Sequence, residues 1–341
     1  MKSKRFCKKM LATFLSRTGF LSFLHHKNRH KICVLMLHGV MEENYKASWT
    51  PLRPQLTPGE LKRTLTLLSK NYQFVTIEQA VDMLSGKLAL IDNAMLITFD
   101  DGYRNNLKFA LPICEQFSIK PVLFLTTGNV DSRLPFWVDR LDYALQQHMG
   151  EIISFSYGGI TYQFDATSRQ SLKKSYKQFR DGCKNRFSDE IKMNQLIDAL
   201  SEKLELQSGK ALATICEQDD WSAIVAWDQL RDVVKSKRID VASHTVDHWR
   251  LNCLPEEYIS SQLQQSKVRI EQELAVKCQF FCYPNGNYND VAINLVEKIG
   301  YKAAFSTDVG LCGLKDDLMT LKRFNFPSDK SESELLYLLN R

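Results

Sequence analysis

The sequence predicts an α/β fold built on a parallel sheet, and three observations predict it. Short apolar runs alternate with amphipathic helical segments at short spacing, the pattern of strands joined by crossover helices. The rhythm runs from residue 31 to about 138 and resumes from 227 to about 326. Chemistry-bearing residues follow directly on two of the apolar runs, at what would be the carboxyl ends of parallel strands, where such sheets carry their sites.

The first run, 32–40, is rich in aliphatic residues and reads as a strand. Thr57-Pro58-Gly59-Glu60 is a capping box with proline at the first helical position, and it opens a helix to about 71. A short strand at 74–76 leads to a helix ending near 85, and 94–99 is a buried-type strand. A helix over 106–116 and a strand over 121–126 complete the first half. In the second half, 227–237, 255–276 and 290–299 read as helices, the last capped by Gly300. Strands are expected at 239–243, 280–283, 302–306 and 321–324.

Residues 140–225 break this rhythm and read as an insertion within one domain. There Tyr157-Gly158-Gly159 lies between the apolar runs 152–156 and 160–164, a hairpin signal. Charged helical patterns follow at about 168–187 and 189–207.

Composition narrows the class of protein. With 44% hydrophobic and 25% charged residues among 341, the chain has globular proportions, which excludes a disordered or collagen-like polymer. Nine cysteines, without a Cys-x-x-Cys pair, do not resemble an extracellular disulfide framework and point to a reducing compartment, the cytoplasm.

The net charge of +6 is unevenly placed, because no acidic residue precedes Glu42. Residues 1–30 form a basic amphipathic leader, in which Phe6, Met10 and Phe14, and Leu11 and Leu15, recur near helical spacing. Its apolar runs fall short of the ~20 residues that span a bilayer. Arg17 and the lack of a small-residue cleavage site argue against a secretory signal, leaving export as the alternative. Two readings stand: an interfacial helix on an anionic inner leaflet, or a terminal helix packed on its own domain. A single basic stretch without a binding motif does not point to nucleic acid.

Two constellations carry chemistry. Thr98-Phe99-Asp100-Asp101-Gly102-Tyr103 ends one apolar run, and Ser243-His244-Thr245-Val246-Asp247-His248 follows another. On a helical turn, His244 and His248 would share one face. Two imidazoles and one carboxylate make a three-ligand site with an open position, as catalytic zinc requires. The second carboxylate of the adjacent pair is then free to take a proton. Alone, Asp-Asp-Gly is an ordinary turn and His-x-x-x-His an ordinary surface pair. Their conjunction at two strand ends is the signal. No phosphate-binding glycine loop and no Gly-x-Ser-x-Gly elbow is present, so nucleotide chemistry and serine hydrolysis have no anchor.

These residues resemble the polysaccharide deacetylases, carbohydrate esterase family 4. The likeness extends through Leu37-His38-Gly39-Val40, Ala110-Leu111-Pro112, Phe136-Trp137-Val138-Asp139 and Tyr283-Pro284-Asn285-Gly286, covering about 32–138 and 227–326. It implies a distorted, incomplete (β/α) barrel holding a divalent metal, usually zinc, and hydrolysing an N-acyl group from a sugar of a surface polysaccharide, glycolipid or lipid-linked precursor. By position, Asp101, His244 and His248 match the metal ligands and Asp100 the general base. Asn285 stands at the residue whose backbone N–H helps hold the oxyanion.

Two departures qualify the match. Cys282 stands where an arginine is frequent, and the closing Leu-x-His motif reads Leu321-Lys322-Arg323, so the usual acidic histidine is missing. His38 is therefore expected as acid or substrate contact, and Arg323 as the replacement positive charge that orients Asp100 or stabilises developing charge. Trp137, Asp139 and Tyr283 are expected along the sugar groove. The missing acid and arginine also motivate a rival reading, a non-catalytic carbohydrate-binding relative, and an O-deacetylase is a third, since the same centre can attack an ester.

Overall fold

The computed structural model describes residues 2–42, 49–218 and 221–340. Eight parallel strands form one sheet: β1 (Cys33–Leu37), β2 (Gln73–Phe74), β3 (Ala94–Phe99), β4 (Val122–Leu125), β7 (Asp240–Ser243), β8 (Phe280–Cys282), β9 (Ala303–Phe305) and β10 (Phe324–Asn325). Between β4 and β7, β5 (Ile152–Tyr157) and β6 (Ile160–Asp165) make a separate antiparallel hairpin. The sheet order is β10-β1-β3-β4-β7-β8-β9, with β2 beside the start of β3. This is the curled parallel sheet of a half-barrel. The last segment reaches both edges: Leu321 donates to Ala304 in β9 at 2.9 Å, and Phe326 donates to Met36 in β1 at 3.0 Å.

The pleat sorts the strand residues into two layers. Cys33, Leu35, Met95, Ile97, Leu123, Val241 and Phe281 face outward against helix leucines such as Leu61, Leu65, Leu230 and Leu263. The alternate residues Val34, Leu96, Val122, Phe124, Ala242, Phe280, Cys282 and Phe305 form the inner cluster, with the helix Ile77–Leu84. With side chains alternating every residue, the next inward positions at the carboxyl ends are His38, Asp100 and His244. All-apolar strands are what two covered faces require.

Local signals place the helices as the sequence indicates. Thr57 and Glu60 close both bonds of the capping box on Pro58–Leu68, and Thr76 with Gln79 does the same for Ile77–Leu84. One element departs from expectation. In place of a uniform helix over 106–116 there is a π-turn at Asn106–Ala110 followed by Leu111–Glu115. Pro112 has no N–H to donate back, which favours the extra residue in that turn. The helices Thr127–Ser132 and Trp137–Gln146 are additional to the sequence reading.

The insertion holds the hairpin and the helices Arg169–Arg186, Glu190–Ser208 and Leu212–Glu217. Leu141, Phe155, Phe164, Tyr176 and Leu200 give it a core of its own. The leader forms two helices, Lys2–Arg17 and Phe20–Lys27. The side chains of residues 2–9, Phe6 and the first five basic residues among them, lie outside the described ones.

The second leader helix is fastened to the domain: Leu21 is buried, His25 packs edge-on to Tyr72 at 5.0 Å, and Asn28 donates to Asn340 at 3.0 Å. Met10, Phe14 and Phe23 face solvent. Among the described residues, no helix is long and apolar enough to cross a membrane.

If the second leader helix folds with the domain, Leu21→Ala should cost about 2–4 kcal/mol, read as a lower urea midpoint in a single transition. An unchanged midpoint would show that the helix melts independently.

Candidate active site and metal centre

Backbone continuity sets the positions of the two motifs. After β3 the Asp100 amide donates to Leu37 at 2.9 Å, and after β7 the His244 amide donates to Leu125 at 2.8 Å, so both chains leave the sheet side by side. The His244–His248 segment is not the helical turn its spacing suggested. Thr245 and His248 have φ of 69° and 59°, and these two left-handed residues fold the loop back on itself. The Thr245 hydroxyl accepts from the His248 amide at 3.0 Å, and Gln262 accepts from the Val246 and Asp247 amides at 3.1 and 2.9 Å.

Gly128 docks the loop from below, donating to Val246 at 2.8 Å; a Cβ there would stand 2.8 Å from the same oxygen. Asp101 and Asn285 are likewise left-handed, at φ 80° and 55°. Four strained non-glycine residues in one site require a surrounding network that over-determines them.

The result is a buried convergence. The imidazole rings of His244 and His248 stand 4.9 Å apart, and their Nε2 atoms lie 3.7 and 3.4 Å from Asp101 Oδ1. His244 Nδ1 is 2.7 Å from the Cys282 carbonyl, which fixes the proton there and leaves Nε2 as a lone pair facing Asp101. Phe136 stacks edge-on against His248 at 5.5 Å. Asp101 Oδ1 is buried with no hydrogen-bond partner. Desolvation pushes the Asp101 carboxyl up to about 7 against the pull of His244, and burial lowers both imidazoles. An orphaned carboxylate oxygen facing two neutral imidazoles fits a divalent cation, zinc by donor type.

Asp100 has the opposite environment. Burial would raise its pKa, but Arg323 overcomes this with two parallel bonds of 2.8 Å, Nη1 to Oδ1 and Nη2 to Oδ2, holding the carboxyl well below the usual range. Arg323 is itself 1% exposed and also donates to Ser306 O, Thr98 Oγ1 and Cys282 Sγ at 2.8, 3.2 and 3.0 Å. It thus occupies the space beside Cys282 where an arginine was expected. Asp100, His244 and Cys282 also lie close enough to form a ligand set, but Arg323 already covers the first and third.

A cavity of about 370 Å³ opens above these groups, lined by His38, Asp100, Asp101, His244, His248 and Asn285 with Trp137. Desolvation, opposed by the pull of Asp100, lowers the His38 pKa, although the residue is solvent-exposed. Gly286 (φ 73°) secures the Asn285 turn against Thr307: a Cβ at 286 would fall 2.0 Å from Thr307 Oγ1.

Two expectations for the groove need correction. Tyr283 is fully buried against Phe281 and Tyr288 and does not line the cavity; it anchors the turn beneath Asn285. Asp139 is also fully buried, paired with Arg53 and accepting from Tyr103 Oη at 2.6 Å. Sequence reasoning missed two charged lining residues, Arg53 and Lys184. Neither sits in a motif, and each is one charge among many.

A half-barrel with two carboxylates and two imidazoles at its carboxyl-end mouth presents the side chains of a candidate metal centre. The chain belongs to the polysaccharide deacetylase family: the family model "Polysaccharide deacetylase" matches residues 89–304. It is 29% identical over 294 residues to "Putative polysaccharide deacetylase YxkH" of Bacillus subtilis (strain 168), covering 86% of this chain and 70% of that protein.

Solved structures share the fold. The Streptococcus pyogenes deacetylase PplD, in complex with acetate, superposes with a TM-score of 0.58 at 17% identity, covering 91% of this chain and 98% of that one. IcaB from Ammonifex degensii gives 0.57 at 16%, covering 92% and 98%. A de-N-acetylase from Aggregatibacter actinomycetemcomitans gives 0.55 at 16%, covering 91% and 100%.

Arg323→Met should cost about 3–5 kcal/mol in urea unfolding, because it leaves Asp100 buried without its countercharge, and adding Asp100→Asn should recover part of the loss. In the parent protein the pair's contribution is full above the unfolded carboxylate pKa of ~3.9 and drains away as pH falls below it toward the depressed folded value. The single variant should therefore lose less stability on acidification than the parent does. An equal loss would separate the ion pair from stability.

Proposed function

We propose that the protein hydrolyses an N-acyl group, N-acetyl above all, from a sugar of a surface polysaccharide, glycolipid or lipid-linked precursor, with zinc held by Asp101, His244 and His248. The observation that carries this reading is the unpartnered, buried Asp101 oxygen facing two imidazoles, 100–101 being adjacent carboxylates of opposite character. A divalent cation there would polarise the acyl oxygen and acidify a water.

The chain's own groups supply the rest. Asp100, kept ionised and oriented by Arg323, takes the proton from the attacking water. The Asn285 main-chain N–H, presented by the left-handed turn, donates to the developing oxyanion. His38, the cavity imidazole outside the ligand set, returns a proton to the leaving amine. With its pKa lowered it is neutral at rest, and the proton it returns is the one that Asp100 removed from the water, passed on to it during the reaction. Trp137 offers an aromatic face to the sugar.

Family membership supports carbohydrate deacetylation as the reaction class. The basic leader, its exposed Met10, Phe14 and Phe23, and the odd number of cysteines support work in the cytoplasm at the inner-membrane surface. The missing Leu-x-His histidine favours one rival, a non-catalytic carbohydrate-binding relative.

The test is acetate release from N- and O-acetylated sugars by the purified full chain, with metal analysis. Zinc should bind stoichiometrically, chelation should abolish turnover and zinc restore it. Asp100→Asn should lower turnover by roughly 10²–10⁴ with metal content unchanged. Full turnover by that variant would refute the mechanism, release from esters alone would assign an O-deacetylase, and metal binding without any release would favour the non-catalytic relative.

A further inference from the structure

One wall of the cavity carries positive charge that deacylation does not use. Arg53, from the segment before the helix Pro58–Leu68, and Lys184, from the insertion helix Arg169–Arg186, line it together. Arg323 is paired with Asp100, and one Arg53 terminal nitrogen with Asp139. Among the described residues, no carboxylate lies within ion-pair distance of Lys184. Arg53 Nε is buried without a partner, and so is Nε of Arg180, one helical turn before Lys184. Desolvation first, then the charges of Arg180 and Arg53, lower the Lys184 pKa, with Asp101 and Asp181 opposing, although the residue is solvent-exposed at the cavity wall.

The placement is built into the fold. Arg250, two residues past His248, donates to the Lys184 and Phe187 carbonyls at 2.7 and 3.0 Å and pairs with buried Glu190 at 2.5 Å. The end of the insertion helix is thereby fixed relative to the metal-ligand loop.

We propose that Lys184 and Arg53 form an anion subsite, so that the acylated sugar this protein accepts carries a phosphate or carboxylate beside the acylated residue. A neutral sugar would leave Lys184 without a counter-charge and the Arg53 Nε without an acceptor. An anion gives each a charge-assisted bond, Lys184 as a point charge and Arg53 through its directed N–H. The sugar's identity rests on the deacylase reading above; the preference for charge does not.

Titration calorimetry on the full chain, with and without zinc, tests this. The probes are N-acetylglucosamine, N-acetylglucosamine 1-phosphate and an N-acetylated hexosaminuronate. At least one anionic sugar should bind roughly tenfold or more tighter than the neutral one, and added salt should narrow the gap. Lys184→Met, which keeps the aliphatic stem, should erase most of the preference, and Lys184→Arg should retain it. The tighter anionic probe identifies phosphate or carboxylate as the group bound.

Equal affinity for neutral and anionic sugars, no measurable binding of either anionic probe, or a preference unchanged in Lys184→Met overturns the proposal. A preference seen only with zinc also overturns it, since the anion would then sit on the metal. Charge preference without acetate release from any probe would instead leave this inference standing and defeat the deacylase reading.

Discussion

A guanidinium withdrawn from water must place five N–H groups, and Arg323 places all of them. Nε reaches Ser306 O; Nη1 reaches Thr98 Oγ1 and Asp100 Oδ1; Nη2 reaches Asp100 Oδ2 and Cys282 Sγ. Those acceptors come from the ends of β3, β8 and β9, while Arg323 itself lies in the segment that touches both edges of the sheet. One side chain therefore joins the closing of the half-barrel to the orientation of its proposed base. A buried pair of this kind is weak evidence for net stability, since desolvation offsets much of the attraction. Its value lies in geometry: bidentate contact permits one carboxylate orientation.

The same economy governs the rest of the mouth. Inward-facing positions of successive strands are filled by apolar side chains until the strands end, and the next inward residues are polar. Leu96, Thr98 and Asp100 form such a series, as do Ala242 and His244. The pleat gathers the chemistry without any special device. What needs devices is the return of His248, which relies on two left-handed residues and on Gln262 and Gly128 as clamps. The insertion adds a second tier, because Arg250 ties its helix end to that same loop.

Much of this was legible in the sequence. Strand 94–99 and the capping box at 57–60 could be read because local pattern and tertiary role agree there. The convergence of Asp101, His244 and His248 could be read because these residues sit in two short motifs at strand ends. Arg323 could be suspected because Cys282 left a charge missing. The loop conformation at 244–248 could not, since left-handed Thr245 and His248 are imposed by neighbours distant in sequence. Tyr283 was misplaced because motif position says nothing of which side of the backbone faces the cavity. Arg53 and Lys184 carry no local signal; they reach the wall from the segment before Pro58–Leu68 and from the insertion helix Arg169–Arg186.

The two adjacent aspartates show how one turn can serve two purposes. They are sequence neighbours, both are buried, and each is desolvated, so burial alone would raise both. Arg323 resolves this for Asp100 with a permanent countercharge. Asp101 receives none from the protein: its oxygen is unpartnered, and the nearest groups are imidazoles that burial keeps neutral. An anion there is stabilised only when a cation arrives, so the fold keeps one carboxylate ready as a base and leaves the other dependent on an external charge. Environments that push paired carboxyls in opposite directions are how acid–base roles are divided within a site. The division follows from where a single arginine is aimed, and a shift of the closing segment that moved Arg323 toward Asp101 would exchange the two roles.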